Sequence, residues 1–132
     1  MANSKAIGVA YADPQFESVS ATGSIRADGV IGGTQLDLNA PVIKTASFTL
    51  ADNENFVVCN GAGSITVTFP SAAANAGRVV WIKTIAAQTV VSASSNVKPI
   101  GTNTAGTAIL AASAGANAML VCDGTDWVIM TS

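Results

Sequence analysis

Beyond Pro41 the chain alternates hydrophobic and polar residues in short runs. Residues 64–69 show the pattern best: Ile65, Val67 and Phe69 share one face of an extended segment, and hydroxyl side chains occupy the other. Similar runs separated by turn residues cover 48–50, 56–59, 78–85, 89–93, 107–112, 116–122 and 126–130. We therefore predict an all-β fold, an antiparallel β-sandwich or jelly-roll-like domain of about eight short strands, spanning residues 43–132.

The connections between these runs are rich in glycine and asparagine. Residues 60–63, Asn-Gly-Ala-Gly, stand between two strand-like runs and predict a hairpin, because Asn and Gly accept the positive φ of tight turns. Asp123-Gly124-Thr125 predicts a second tight turn. Residues 71–77 predict a loop or a single helical turn ended by Gly77.

Residues 1–42 have a different pattern. Their large apolar residues are isolated, and Pro14 and Gly32-Gly33 interrupt any regular helix or strand. We interpret residues 1–42 as an extended N-terminal arm with anchor residues for a partner, and a disordered tail is the alternative. The candidate anchors are Ile7, Val9, Tyr11, Phe16, Ile25 and Ile31.

Three predicted strands, residues 79–82, 119–122 and 127–130, are apolar on both faces. A small sandwich covers only one face of each sheet, so the second apolar face needs another partner. We expect a subunit interface that contains Val79, Trp81, Trp127 and Ile129. The alternative is that the arm or the Ala-rich loops of the same chain cover these faces.

The charge content is low, with 11% Asp, Glu, Lys and Arg and a net charge of −2. Residues 1–42 carry two basic and four acidic side chains, and residues 43–132 carry four of each, so no basic cluster exists. We therefore expect no direct binding to nucleic acid. No apolar run is long enough to span a membrane, and the first residues lack the pattern of a secretion signal, so we expect neither. A surface with so few charges favours contact with other proteins.

The residues also argue against catalysis. The chain has no histidine, which removes the usual base of a serine or cysteine nucleophile and the commonest metal ligand. The close acid pairs, Asp52 with Glu54 and Asp123 with Asp126, stand at turns, where capping is their expected role. A weak Ca²⁺ site at Asp123 and Asp126 is the alternative. We predict a protein that is not an enzyme and that uses no cofactor or metal.

The chain contains two cysteines and two tryptophans. Cys59 and Cys122 follow hydrophobic pairs inside predicted strands, where buried thiols behave as small hydrophobic side chains. We expect both to be reduced, and a single disulfide is the alternative. For Trp81 and Trp127 we expect core or interface positions, and sugar stacking is the alternative.

Three segments carry a resemblance to a known group. Residues 64–71 (SITVTFPS), the strand Val79–Lys83 after Gly77, and residues 120–129 (LVCDGTDWVI) resemble the small β modules of tailed-bacteriophage virion proteins. In that group a T-V-x-L-P strand, a G-x-x-x-x-I-K strand and a D-G-T-x-W hairpin recur in tail fibres, head fibres and capsid decoration proteins. The likeness covers about residues 46–130, and Phe69 stands where the group usually has Leu.

The resemblance implies a structural virion protein that decorates the outer capsid surface and cements neighbouring capsomers. Residues 1–42 also resemble the N-terminal extensions with which decoration proteins grip capsids. The implied partners are the major capsid protein and further copies of the chain, as a homotrimer assembled in the host bacterial cytoplasm. A tail or head fibre component is one alternative, and a carbohydrate- or receptor-binding module is another. A reducing cytoplasm would also keep both thiols free.

Overall fold

The computed structural model describes residues 38–132, together with Ser20 and Thr22. These residues form ten β-strands and one 3₁₀ turn, η1, and they contain no α-helix. The described part of the chain therefore has no helix that is long and apolar enough to cross a membrane. The elements are β1 Val42–Lys44, β2 Phe48–Thr49, β3 Phe56–Cys59, β4 Ile65–Thr68, η1 Ala72–Ala74, β5 Val79–Thr84, β6 Val90–Ser92, β7 Val97–Lys98, β8 Ala108–Leu110, β9 Asn117–Cys122 and β10 Trp127–Thr131. The prediction of an all-β fold is confirmed.

Most of the predicted arm lies outside the described residues. This holds for all six candidate anchors, Ile7, Val9, Tyr11, Phe16, Ile25 and Ile31. The arm and its anchors therefore stay a prediction.

The strands form two sheets with a common core. The six-stranded sheet has the order β1-β3-β5-β9-β10-β7, and the four-stranded sheet has the order β2-β4-β6-β8. Val80, Ile82 and Leu120 of the first sheet and Ile65, Val67 and Val90 of the second belong to one buried cluster. The arrangement is a sandwich-like pair of layers.

The first six strands wind between the two sheets. Odd-numbered strands β1, β3 and β5 lie parallel in the six-stranded sheet, and even-numbered strands β2, β4 and β6 lie parallel in the four-stranded sheet. Three later strands make antiparallel pairs: β8 with β6, β9 with β5, and β10 with β9. β7 pairs parallel with β10 at the far edge.

The sheets are therefore mixed, and the expected antiparallel order is wrong for most pairings. Five of the eight strand pairings among the described residues are parallel. Alternation of side chains reports which face of a strand is buried, but it contains no information on strand direction. Consecutive strands alternate between the two sheets from β1 to β9, so most pairings join strands that are not consecutive in sequence.

All eight predicted runs contain a strand, and two short strands were not predicted. These are β1, next to Pro41, and β7, next to Pro99. Runs of two or three residues are too short to show a period, and a neighbouring proline lowers the expectation of a strand. Both strands depend on tertiary pairing, β1 with β3 and β7 with β10.

The Asn60-Gly61 connection is not a hairpin, contrary to the prediction, because β3 and β4 belong to different sheets. Gly61 is required there for space: a Cβ atom on this residue would lie 2.7 Å from the carbonyl oxygen of Thr45. Its amide donates to Oε1 of the buried Gln88 at 2.8 Å. By contrast, the Asp123-Gly124 turn does join paired antiparallel strands, and Gly124 has the positive φ of 93° that favours glycine.

Candidate protein-interaction surface

The strand β5 divides its side chains cleanly between the core and the outer surface. Val80 and Ile82 are fully buried, whereas Val79 and Trp81 point outward and remain 46% and 39% exposed. This alternation is the expected geometry of a strand, and the outward side of β5 carries the apolar Val79 and Trp81 followed by the charged Lys83. Val79 and Trp81 therefore belong to a hydrophobic surface.

Register places the outward side chains of neighbouring strands in rows across the six-stranded sheet. One row runs from Val79 through Val121 to Val128. A second runs from Phe56 through Trp81 to Met119. Together with Ile43 and Val58 at the β1 end, these rows form what we call the outer apolar face.

The outer surface of the four-stranded sheet has a different chemistry. Thr49 pairs with Thr68, and Thr66 pairs with Val91, which in turn pairs with Ala108. Threonine hydroxyls and small side chains suit contact with water. Among the described strands, those of the six-stranded sheet present large apolar side chains, Trp, Phe and Met, on the outer surface, and those of the four-stranded sheet do not.

Shallow depressions lie on the six-stranded side of the described domain. One of about 300 Å³ lies between Leu38, Phe56, Val79 and Trp81, and one of about 230 Å³ lies between Pro41, Phe56, Trp81 and Lys83. A third of about 420 Å³ lies at the β7 edge, near the exposed Ile100 and Met130. Depressions lined by apolar side chains suit protruding hydrophobic groups of a protein partner.

The four predicted interface residues do not lie on one surface. Val79 and Trp81 are on the outer apolar face, but Trp127 is 0% exposed and Ile129 only 6%. The Trp127 ring stacks on Phe69 with ring centroids 4.7 Å apart, inside the core between the sheets. The inclusion of Trp127 and Ile129 is therefore corrected, because little of either side chain is accessible to a second copy. Since β10 is apolar on both faces, its sequence does not reveal which residues point outward.

The outward residues of β3, β9 and β10 were missing from the predicted set. They are Phe56, Val58, Met119, Val121 and Val128. The apolar composition of 119–122 did indicate a second hydrophobic face. What the sequence lacks is the register that aligns these residues with Trp81.

The acidic pairs are held in local ion pairs and turns. Lys98 Nζ lies 2.9 Å from Asp123 Oδ2 and 3.1 Å from Asp126 Oδ2, and Asp123 Oδ1 accepts hydrogen bonds from the amides of Thr125 and Asp126. Glu54 pairs with Lys44, and its other oxygen accepts the Ala51 amide at 3.0 Å. The expected capping role is confirmed for Asp123, and a lysine ammonium lies where a cation would bind. Within residues 38–132 no group of three His, Cys, Asp or Glu side chains could hold a metal ion.

Hydrogen bonds from the Asp126 amide and from Lys98 lower the pKa of Asp123 to about 2. The hydrogen bonds that Lys98 donates to Asp123 and Asp126 raise the pKa of Lys98. The buried thiol of Cys59 shows the opposite effect, because burial raises its pKa to about 11. Both cysteines are free and buried, and Cys122 Sγ lies 3.3 Å from the Ala72 carbonyl oxygen.

The two thiols lie at opposite ends of β5. Cys59 pairs with Thr84, whereas the Cys122 amide donates to the carbonyl oxygen of Arg78. Six residues of strand separate these levels, which corresponds to about 20 Å. A disulfide needs Cα atoms within about 7 Å, so this fold excludes a bridge between them within one chain.

Comparison of the chain with protein-family models, with curated proteins and with solved structures found no match in any of the three.

We predict that neither thiol reacts with iodoacetamide in the folded protein at pH 8, because both are buried and the thiolate of Cys59 is disfavoured. Unfolding without reductant should expose two free thiols. Intact-mass measurement before and after denaturation checks this. A denatured protein that takes up no label would contradict it.

We also predict that Asp123→Asn lowers stability in a pH-dependent way. The pKa of Asp123 is about 2 in the folded protein, below its ordinary value of 3.8, so its ionised form stabilises the fold above about pH 4. The difference in Tm between the natural protein and the variant should shrink as pH falls from 4 towards 2. Asn retains the side-chain acceptor for the turn amides, so a Tm difference that stays constant with pH would contradict the role of the charge.

Proposed function

We propose that this chain is a structural protein of a bacteriophage virion that decorates the outside of the capsid and cements neighbouring capsomers. The observation that carries the proposal is the outer apolar face, a hydrophobic surface on a protein with only 11% charged residues. Such a surface suits permanent contact with other protein. The capsid setting comes from the resemblance to virion β modules.

The segments that carry the resemblance have coherent places in the fold. The 64–71 segment contains β4, the 79–83 segment lies in β5, and the 120–129 segment contains the β9–β10 turn. Phe69, at the end of the first segment, stacks on Trp127 of the third. This contact supports the idea that the segments act as one structural unit.

In the proposed mechanism one surface attaches the chain to the capsid and a second surface joins copies of the chain. Residues 1–42 contact the major capsid protein through the apolar anchors, and the outer apolar face joins copies of the chain, as a homotrimer by resemblance to decoration proteins. Apolar area removed from water contributes about 25 cal/mol per Å², so contacts across several capsomers add up to a strong attachment. A cyclic arrangement would bring the same face of each copy towards a shared axis.

A head or tail fibre component remains the closest alternative, since the resemblance includes both. A carbohydrate-binding module has less support. Trp81 is accessible, but the terminal nitrogen Nη2 of the neighbouring Arg78 already donates to the carbonyl oxygens of Ala51 and Glu54. A sugar site needs polar groups that are free to converge on hydroxyls.

We predict that the natural chain self-associates at micromolar concentration and that Val79→Lys reduces this association at least tenfold. The added charge would have to be buried without a partner in the interface. The matched control is Thr68→Lys, an exposed strand position on the outer surface of the four-stranded sheet. Sedimentation velocity measures both. A natural chain that is a clean monomer, or an equal loss in the two variants, would contradict the role of the outer apolar face.

We further predict that deletion of residues 1–33 abolishes attachment to capsids while the β domain stays folded. Each fully buried anchor contributes about 1.5–3 kcal/mol before the cost of ordering the chain is subtracted. Replacement of Tyr11 and Phe16 by Ala should weaken attachment gradually, whereas neutralising Asp13 and Glu17 should have little effect. Co-sedimentation with capsids that lack the protein measures attachment, and circular dichroism monitors folding. Undiminished binding of the truncated chain would show that the β domain makes the capsid contact.

A further inference from the structure

Asn60 is the only asparagine in the sequence that is followed by glycine, and an Asn-Gly pair has a spontaneous chemistry. The backbone nitrogen of the second residue can attack the side-chain carboxamide of the asparagine, and glycine hinders this attack least because it has no side chain. Asn60 directly follows β3 and is exposed. Since its carboxamide is accessible, the reactivity of the pair depends on the Gly61 nitrogen.

A buried side chain holds the Gly61 nitrogen. The Gly61 amide donates to Oε1 of Gln88 at 2.8 Å, and Gln88 is only 3% exposed. The nitrogen must lose its proton in order to attack, and an amide oxygen directly beside it disfavours the anion that results. The hydrogen bond also fixes the orientation of the peptide group. Both effects slow the attack on Asn60.

Packing around Gly61 restricts the backbone further. A Cβ atom on Gly61 would lie 2.7 Å from the carbonyl oxygen of Thr45 and 3.2 Å from Cδ1 of Ile65. The Asn60 amide donates to the carbonyl oxygen of Lys44 at 2.8 Å and so continues the pairing of β1 with β3. The backbone on both sides of the reacting atoms therefore has little room to rotate.

The bond to Gly61 is the one side-chain hydrogen bond of Gln88 within the described residues. The Nε2 atom of Gln88 is buried and has no partner there. Burial of an unpaired amide donor costs stability. The orientation of the side chain is nevertheless determined, because a flipped amide would place Nε2, a donor, against the Gly61 donor. Gln88 is thus committed to the reactive nitrogen.

We propose that Asn60-Gly61 is a latent deamidation site and that Gln88 is the positioning residue that keeps it unreactive in the folded domain. In the reaction the Gly61 nitrogen loses its proton and bonds to Cγ of Asn60, and the carboxamide nitrogen leaves as ammonia. Water then opens the cyclic imide to aspartate or isoaspartate. Either product adds a negative charge, and isoaspartate adds a methylene group to the backbone where Asn60 pairs with Lys44. Deamidation would therefore weaken the pairing of β1.

The proposal does not depend on the proposed function, and the natural chain tests the protection without any variant. Folded chain and chain unfolded in guanidinium chloride are incubated at pH 8, and mass spectrometry of the peptide that contains Asn60 measures deamidation. The folded chain should react at least about tenfold more slowly, the scale of one hydrogen bond. In hydrogen exchange the Gly61 amide should be protected like the Ile65 amide, which donates to the Thr89 carbonyl oxygen at 3.0 Å. Equal deamidation in the two samples, or an unprotected Gly61 amide, would overturn the proposal.

Gln88→Met separates the hydrogen bond from general stability. Methionine has a similar length but no amide oxygen, so folded Gln88→Met should deamidate at Asn60 about tenfold faster than the natural chain. Thr89→Val is the matched control, because it removes a hydroxyl contact with Ser64 one residue away and leaves the Gln88 side chain unchanged. Gln88→Met should abolish the exchange protection of the Gly61 amide and leave the Ile65 amide protected.

Two results with these variants count against the role of Gln88. One is a rate of deamidation in Gln88→Met no higher than in Thr89→Val. The other is a loss of exchange protection at Ile65 as large as that at Gly61, which would show that deamidation follows general unfolding. If Gln88→Met does not fold, the exchange of the Gly61 amide in the natural chain decides the question.

Discussion

The two-sided strand β5 is the constraint on which the rest of the molecule depends. Val80 and Ile82 hold the two sheets together, and Val79 and Trp81 leave an apolar surface on the other side of the same strand. A sandwich of two layers covers only the inner face of each sheet, so within residues 38–132 no further layer of strands covers this second surface. Both the cohesion of the fold and its need for an additional contact therefore have one origin.

The position of β5 extends its effect to the whole sheet. It joins the parallel strands, through β3, to the antiparallel pair β9 and β10. Through this pairing, Met119 and Val121 align beside Trp81 and Val79 to make the surface continuous. The four-stranded sheet lacks such a strand, and its outer surface carries Thr49, Thr66 and Thr68.

Much of the fold could be predicted from local patterns. The period of two in residues 64–69 correctly predicted which side chains of β4 are buried. The tight turn predicted at Asp123-Gly124 does join two paired strands, whereas Asn60-Gly61 connects strands of different sheets and Gly61 lacks the positive φ that Gly124 has. Strand direction and sheet order depend on contacts between residues far apart in sequence, and a local pattern does not contain them.

The sequence predicted that a second apolar surface exists, but it did not predict all of the residues that form this surface. Apolar residues on both faces of a strand indicate a second contact, and Val79 and Trp81 do lie on the exposed side of β5, where the subunit interface stays a prediction. For Trp127 the same reasoning failed, because its ring fills the core beside Phe69. The register of three strands was needed to find Met119, Val121 and Val128.

The central claim is that the outer apolar face is buried by protein contact in the working state, and hydroxyl-radical footprinting tests it most directly. Trp81 and Met119 are reactive probes on this face, and Phe69 and Trp127 are buried references within the same chain. We expect oxidation of Trp81 and Met119 to fall in the associated protein relative to dilute monomer, with the references unchanged. Equal oxidation of Trp81 and Met119 in the two states would contradict the account.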